Sequence, residues 1–127
     1  MKVQLPLGDV VDKVTILLLK RAHMADAAKQ TNVSRELEVL RAAWAAEGFE
    51  PMSSLAAWDG LRAVNAKLWQ VEDELREHEA NRDFGDNFVA LARSVYKLND
   101  QRAALKRAIN DALGSELVEE KSYKDYQ

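Results

Sequence analysis

The sequence predicts an all-α fold, a four-helix bundle of antiparallel helices followed by a non-helical C-terminal tail, and three observations carry that prediction. Apolar residues recur at three- and four-residue steps in every long segment. The clearest case runs from Asp83 to Leu113, where Phe84, Phe88, Leu91, Val95, Leu98, Leu105, Ile109 and Leu113 keep the beat. Both prolines and four of the five glycines fall between such segments. The connections that remain are short, which sets successive helices antiparallel to one another.

The first helix is expected from about Asp9 to Met24. Gly8 or Asp9 caps it, and Asp9 and Asp12 sit in its first turn against the positive end of the helix. Val3, Leu5 and Leu7 alternate before it, as in an extended lead-in. Val10, Val11, Val14, Ile16, Leu17, Leu18 and Leu19 leave this helix little polar face, so it belongs between several neighbours. For the second helix, a break capped by Asp26 is favoured over a later turn at Gln30-Thr31-Asn32. Its stripe is Val33, Leu37, Leu40 and Trp44, and Gly48 and Pro51 end it. Ser53 or Ser54 is expected to cap the third helix, whose apolar positions run from Leu55 to Leu75 with Gly60 inside, marking a kink or a close helix contact. Asn81 to Gly85 makes the turn into the fourth helix, and Gly114 suits the residue just past its end. The division expected is a helical domain over 1–114 and a tail over 115–127 that docks on the bundle or on a second copy.

Composition narrows the function. The 127 residues make one domain, large enough to bury roughly two-thirds of its unfolded surface. With no cysteine there is no disulfide, thiolate metal site or thiol nucleophile, which suits a cytoplasmic protein. The net charge of −3 is spread along the chain without a basic stripe, so nucleic acid is not an expected partner. The N-terminus lacks a signal-peptide core, and the longest apolar run, Ile16 to Leu19, is too short to insert in a membrane. His23 and His78 stand alone, with no H-E-x-x-H motif, no glycine-rich phosphate loop and no G-x-S-x-G elbow around them. No metal and no cofactor is expected.

Arg102 is the one break in the apolar beat of the last helix, and a cation in a core stripe needs a partner. If the hairpin turn is centred near Arg82, residues whose numbers sum to about 164 lie level across the third and fourth helices. Asn65 then faces Asn99, and Glu72 faces Arg93. Asn65, Trp69, Glu72 and Arg76 share one flank, while Asn99, Arg102, Lys106 and Asn110 share another. This polar seam has two readings. In one it is an anion pocket, with Arg102 as bidentate anchor, Lys106 as second cation and the two asparagines as orienting donors. In the other it is a satisfied network that fixes the bundle's register. Asp12, on a stripe with Ile16 and Leu19, either turns inward toward Arg102 or faces solvent at the helix end. In the tail, Leu117, Val118, Tyr123 and Tyr126 gain by finding a surface, and Tyr123 is expected near the seam, with Glu119 and Glu120 within reach of Arg93, Lys106 or Arg107.

The blocks Gly8-Asp9-Val10-Val11-Asp12-Lys13-Val14-Thr15, Leu68-Trp69 with Glu72-Asp73, Leu91-Ala92-Arg93-Ser94-Val95-Tyr96, Asn99-Asp100 with Arg102-Ala103, and a terminal Glu119-Glu120-Lys121-Ser122-Tyr123 resemble a family of short bacterial proteins catalogued as domain of unknown function six-one-six-five. The likeness runs over nearly the whole chain and is thinnest from Ala25 to Ala57. It implies no reaction. It does imply a setting beside glycosyltransferases of surface-polysaccharide assembly, and that the seam and the tail belong to the family's pattern. The expected function is therefore a binding or accessory module with a protein partner or self-association, homodimer included. The alternative is a small-molecule enzyme or sensor that holds an anionic ligand. For that alternative, Asp12 with Ile16, Leu18-Leu19 and Arg21 is similar to the opening helix of the helical chorismate mutases, although the Asp-to-Arg spacing is one residue short and no matching set of further Arg, Lys and Gln residues follows.

Overall fold

In the computed structural model, which describes residues 1–126, helix α1 spans Leu7–His23, α2 Ala27–Ala46, α3 Trp58–Ala80 and α4 Asp86–Leu113. A single 3₁₀ turn, Met52–Ser54, precedes α3, and no strand occurs among the described residues. Of the tail expected over 115–127, Gln127 lies outside the described residues. No helix among them is long and apolar enough to cross a membrane.

The architecture is an all-α bundle with α1 at its centre. Helix α1 is apolar nearly all round, and it packs on α2, α3 and α4, whereas α2 packs chiefly on α1 and α3 pairs with α4 as a hairpin. Val11, Val14 and Leu17 of α1 meet Val33, Leu37 and Trp44 of α2, Leu61 of α3 and Ile109 of α4 in one core. Each large side chain fully buried there contributes about 1.5–3 kcal/mol. Trp44 and Trp58 are both core residues, and the Trp44 indole N–H donates to the Glu50 carbonyl at 2.8 Å.

Three features differ from the sequence reading, each for a physical reason. Helix α1 begins at Leu7, two residues before Asp9, because its free N–H groups are met by side chains from the far end of the chain. The Leu7 N–H donates to Ser115 Oγ at 3.1 Å and the Gly8 N–H to Asn110 Oδ1 at 2.7 Å. Gly8 is thus a buried contact rather than a cap. Helix α3 begins at Trp58, not at Ser53 or Ser54, since the Ser54 hydroxyl turns back onto the Pro51 carbonyl at 2.6 Å and closes the 3₁₀ turn. The apolar stripe of α4 is core only in its C-terminal half. Its buried residues are Ile109 and Asn110, and beyond the reach of α1 the hairpin stands as two helices, leaving Phe84 51% exposed.

Other features follow the sequence closely. Asp26 caps α2 by accepting from the Lys29 N–H at 2.9 Å. The hairpin turn holds Arg82 at φ 51, and Gly114 ends α4 in the left-handed conformation at φ 64. Gly60 marks a close helix contact, for a Cβ there would lie 3.2 Å from the Leu105 side chain of α4.

Candidate functional site

The seam between α1, α3 and α4 closes around Asp12. This residue is 4% exposed, turned inward from the first half of α1, and Arg102 of α4 grips its carboxylate side-on, Nε to Oδ1 at 2.9 Å and Nη2 to Oδ2. Such a fork is the strong form of a charge-assisted pair, and it holds the guanidinium still as well as neutralising it. The hydrogen bond to Asp12 comes first among the causes that raise the Arg102 pKa, against the cost of burial.

Thr15 and Asn65 complete the arrangement. The Thr15 hydroxyl donates to the Asp12 carbonyl at 2.7 Å, one turn back along the helix. With that hydrogen used, the hydroxyl can only accept from Asn65 Nδ2, also 2.7 Å away. Asn65 gives its second amide hydrogen to Asp12 Oδ1 at 2.9 Å. The side chain is 4% exposed, and its orientation is set by this network, leaving its carbonyl oxygen as the acceptor it still offers.

Lys106, one turn beyond Arg102, makes a second centre. Its ammonium donates to Glu119 of the tail at 2.7 Å, with the carboxylate of Asp9 3.0 Å away. The Asp9 contact is an ion pair, and the buried Asp9 Oδ1 accepts no hydrogen bond from the described residues. Burial works against the Lys106 charge, but the two carboxylates more than offset it and raise the pKa. Glu119 is shifted the opposite way, held below its ordinary value by the hydrogen bonds from Lys106 and then Lys121.

Above the Asp12 fork opens a cleft of about 400 Å³. Ile16, Leu19, Leu68 and Trp69 form its apolar wall, and Asn65, Glu72, Asp73, Arg76, Asn99 and Arg102 supply the polar groups. Trp69 is fixed at one edge by the His23 ring, stacked on it at 4.9 Å between centroids.

The sequence-derived site residues divide on inspection. Asp12, Asn65 and Arg102 form one bonded network; Glu72 and Asn99 line the cleft with Asn65 and Arg102; Lys106 stands one turn away with the tail. Arg93 is exposed and off the cleft, so the level pairing with Glu72 does not bring the two into the site. Tyr123 is not inserted in the seam: its residue is 77% exposed, with the Lys121 ammonium 5.5 Å from its ring centre. Arg102 itself is less enclosed than a core-stripe residue would be, its side chain 30% exposed where it borders the cleft. Sequence reasoning missed Thr15 and the capping role of Asn110. Thr15 lies three residues after Asp12, a spacing that puts both on one helix face, and this was the available signal.

The family model that matches this chain does so over residues 1–126, and it is that of a family of unknown function, DUF6165; the chain belongs to that family. No curated protein and no solved structure matches it.

Proposed function

We propose, taking membership of that family as the premise, that the protein is a binding module: it holds a partner molecule without converting it, and the cleft above the Asp12–Arg102 fork is where a small ligand sits. The observation that supports this reading is the state of the two cations. Arg102 spends its fork on Asp12, and Lys106 is shared between Asp9 and Glu119, so neither offers the uncompensated charge with which an enzyme would grip and polarise an anionic substrate. The carboxylates Glu72 and Asp73 in the same cleft work further against an anion. A bacterial origin and an accessory place beside glycosyltransferases of surface-polysaccharide assembly are proposed from the family resemblance, and a cytoplasmic setting from the cysteine-free composition.

The anionic enzyme-or-sensor reading makes the opposite prediction, which a thermal-shift series resolves. Phosphorylated sugars, nucleotides and dicarboxylates are expected to leave the melting temperature where sodium chloride of equal ionic strength leaves it. A saturable rise with any of them that disappears in Arg102→Met would replace the binding-module reading with the anionic one.

A further inference from the structure

We infer that the cleft takes an uncharged polyhydroxylated molecule, a single sugar ring in size, with its hydroxyls toward α3 and α4 and its C–H face toward Trp69. The inference rests on the binding-module reading and adds to it the class of ligand.

Charge is the first discriminator. Asp12 cancels Arg102, and of the remaining ionised groups in the lining Glu72 and Asp73 stand against Arg76 alone, so an anion is repelled. That balance does not repel a cation, but an ammonium or guanidinium only donates, and it leaves the N–H donors of Arg102 and Asn99 in the lining without an acceptor. A neutral ligand meets neither penalty.

Donor and acceptor pattern is the second. A sugar hydroxyl both donates and accepts, so a wall that suits it must interleave the two functions. Arg102 has committed the Nε hydrogen and one Nη2 hydrogen to Asp12, which leaves the Nη1 hydrogens and the second Nη2 hydrogen as donors it can present where it borders the cleft. Asn65, with both amide hydrogens used on Asp12 and Thr15, can offer only its carbonyl oxygen. The Asn99 amide carries both functions, and Glu72 adds an acceptor. The deepest of these groups are therefore fixed before any ligand arrives, and a preformed polar wall spares the ordering cost of binding.

Shape is the third. The cleft volume of about 400 Å³ lies toward the small end of the usual range for ligand sites, roughly 300–1,000 Å³. Its apolar side carries an indole locked by the His23 stack, a flat surface against which the C–H face of a pyranose can rest.

The test is an NMR titration of the full-length protein with glucose, galactose, mannose and N-acetylglucosamine, and in parallel with glucose 6-phosphate and succinate. With at least one neutral sugar, saturable shifts are expected at the Trp69 indole N–H and the Asn99 side-chain amide, weakened about fivefold in Asn99→Ala or Glu72→Ala, since loss of one such hydrogen bond is worth about 1 kcal/mol. Both substitutions are on the cleft wall outside the Asp12 network, and each variant is expected to keep the wild-type circular dichroism spectrum. Saturable sugar shifts that neither substitution weakens would place the sugar elsewhere and overturn the inference. Absence of saturable shifts with every sugar, and with both anions, would overturn it while leaving the binding-module reading standing. Tighter binding of glucose 6-phosphate than glucose, or of succinate than any sugar, lost in Arg102→Met, would overturn both.

Discussion

Arg102 shows how much one residue can declare and where it falls silent. A cation standing in an apolar beat must be paired, and it is, with the carboxylate of Asp12. The partner was harder to read, because an Asp early in a helix is equally at home in solvent facing the helix dipole. What turns it inward is the hold of Asn65 and Arg102 on its carboxylate, and those donors lie 53 and 90 residues away in sequence. Thr15 gave almost no sign, since a threonine on a helix commonly bonds back to its own turn. Arg93 and Tyr123 misled for the converse reason: level pairing across a hairpin fixes height and leaves the rotation of each helix free, and a tyrosine in a tail carries no register at all. The network makes a quantitative demand. Arg102→Ala leaves the Asp12 charge buried beside amide donors alone, and is expected to destabilise by about 3 kcal/mol in urea unfolding. Adding Asp12→Asn should recover a large part of that loss, because the stranded charge goes with it. If Arg102→Ala unfolds within about half a kcal/mol of wild type, the pair is only a surface contact.

At the scale of helices, periodicity made the four elements legible and their ends less so. Interiors follow from the three-four spacing, which any amphipathic helix must show. Ends depend on where free N–H and C=O groups find partners. Where the partner is local, as at Asp26, the cap could be read; where it is Asn110 or Ser115, more than a hundred residues from the α1 N–H groups they serve, no local signal exists. Gly8 belongs to that second kind. A Cβ built on it would lie 2.3 Å from the Lys106 carbonyl oxygen, so glycine is what lets the start of α1 touch the backbone of α4. Gly8→Ala gains up to about 1 kcal/mol in helix propensity. It must also push two backbones apart and stretch the bond to Asn110, and the net outcome expected is a loss of about 1–3 kcal/mol. Gly60→Ala, whose Cβ would meet only the mobile end of Leu105 at 3.2 Å, should cost less in the same urea series. Gly8→Ala as stable as wild type would mean that the helices separate there without penalty.

On the scale of the whole molecule, the tail ties the two ends of the chain together. Ser115 bonds to Leu7, Gln4 to Glu116, Glu119 to Lys106, and Glu120 to Arg107, while Tyr126 rests edge-on against Tyr96 of α4 at 5.0 Å between ring centres. The Arg107–Glu120 pair is exposed and contributes little, so the Glu119–Lys106 contact, partly buried and shared with Lys121, is the ionic tie that matters. Its pH dependence follows from the two shifts. Glu119 has a folded pKa below its unfolded one, so its stabilising contribution is complete above the ordinary glutamate value, about 4.3, and is lost as pH falls through the lower folded value. Lys106 has a folded pKa above its unfolded one, so its contribution is complete below about 10.4 and is lost as pH rises through the higher folded value. Docking of the tail should therefore be level across the neutral range and fail at both extremes. Hydrogen exchange read at residues 117–126, with the Tyr96–Tyr126 ring contact followed by NMR, is expected to show the tail released on the acid side below about pH 4.3. Glu119→Gln should show faster exchange of the tail already at pH 7, no further step on acidification attributable to residue 119, and helix content equal to wild type, because the core of Val11, Val14, Leu17 and Leu61 does not involve the tail. Tail exchange in Glu119→Gln indistinguishable from wild type at neutral pH would show that the aromatic contact and Ser115 hold the tail without the ionic tie.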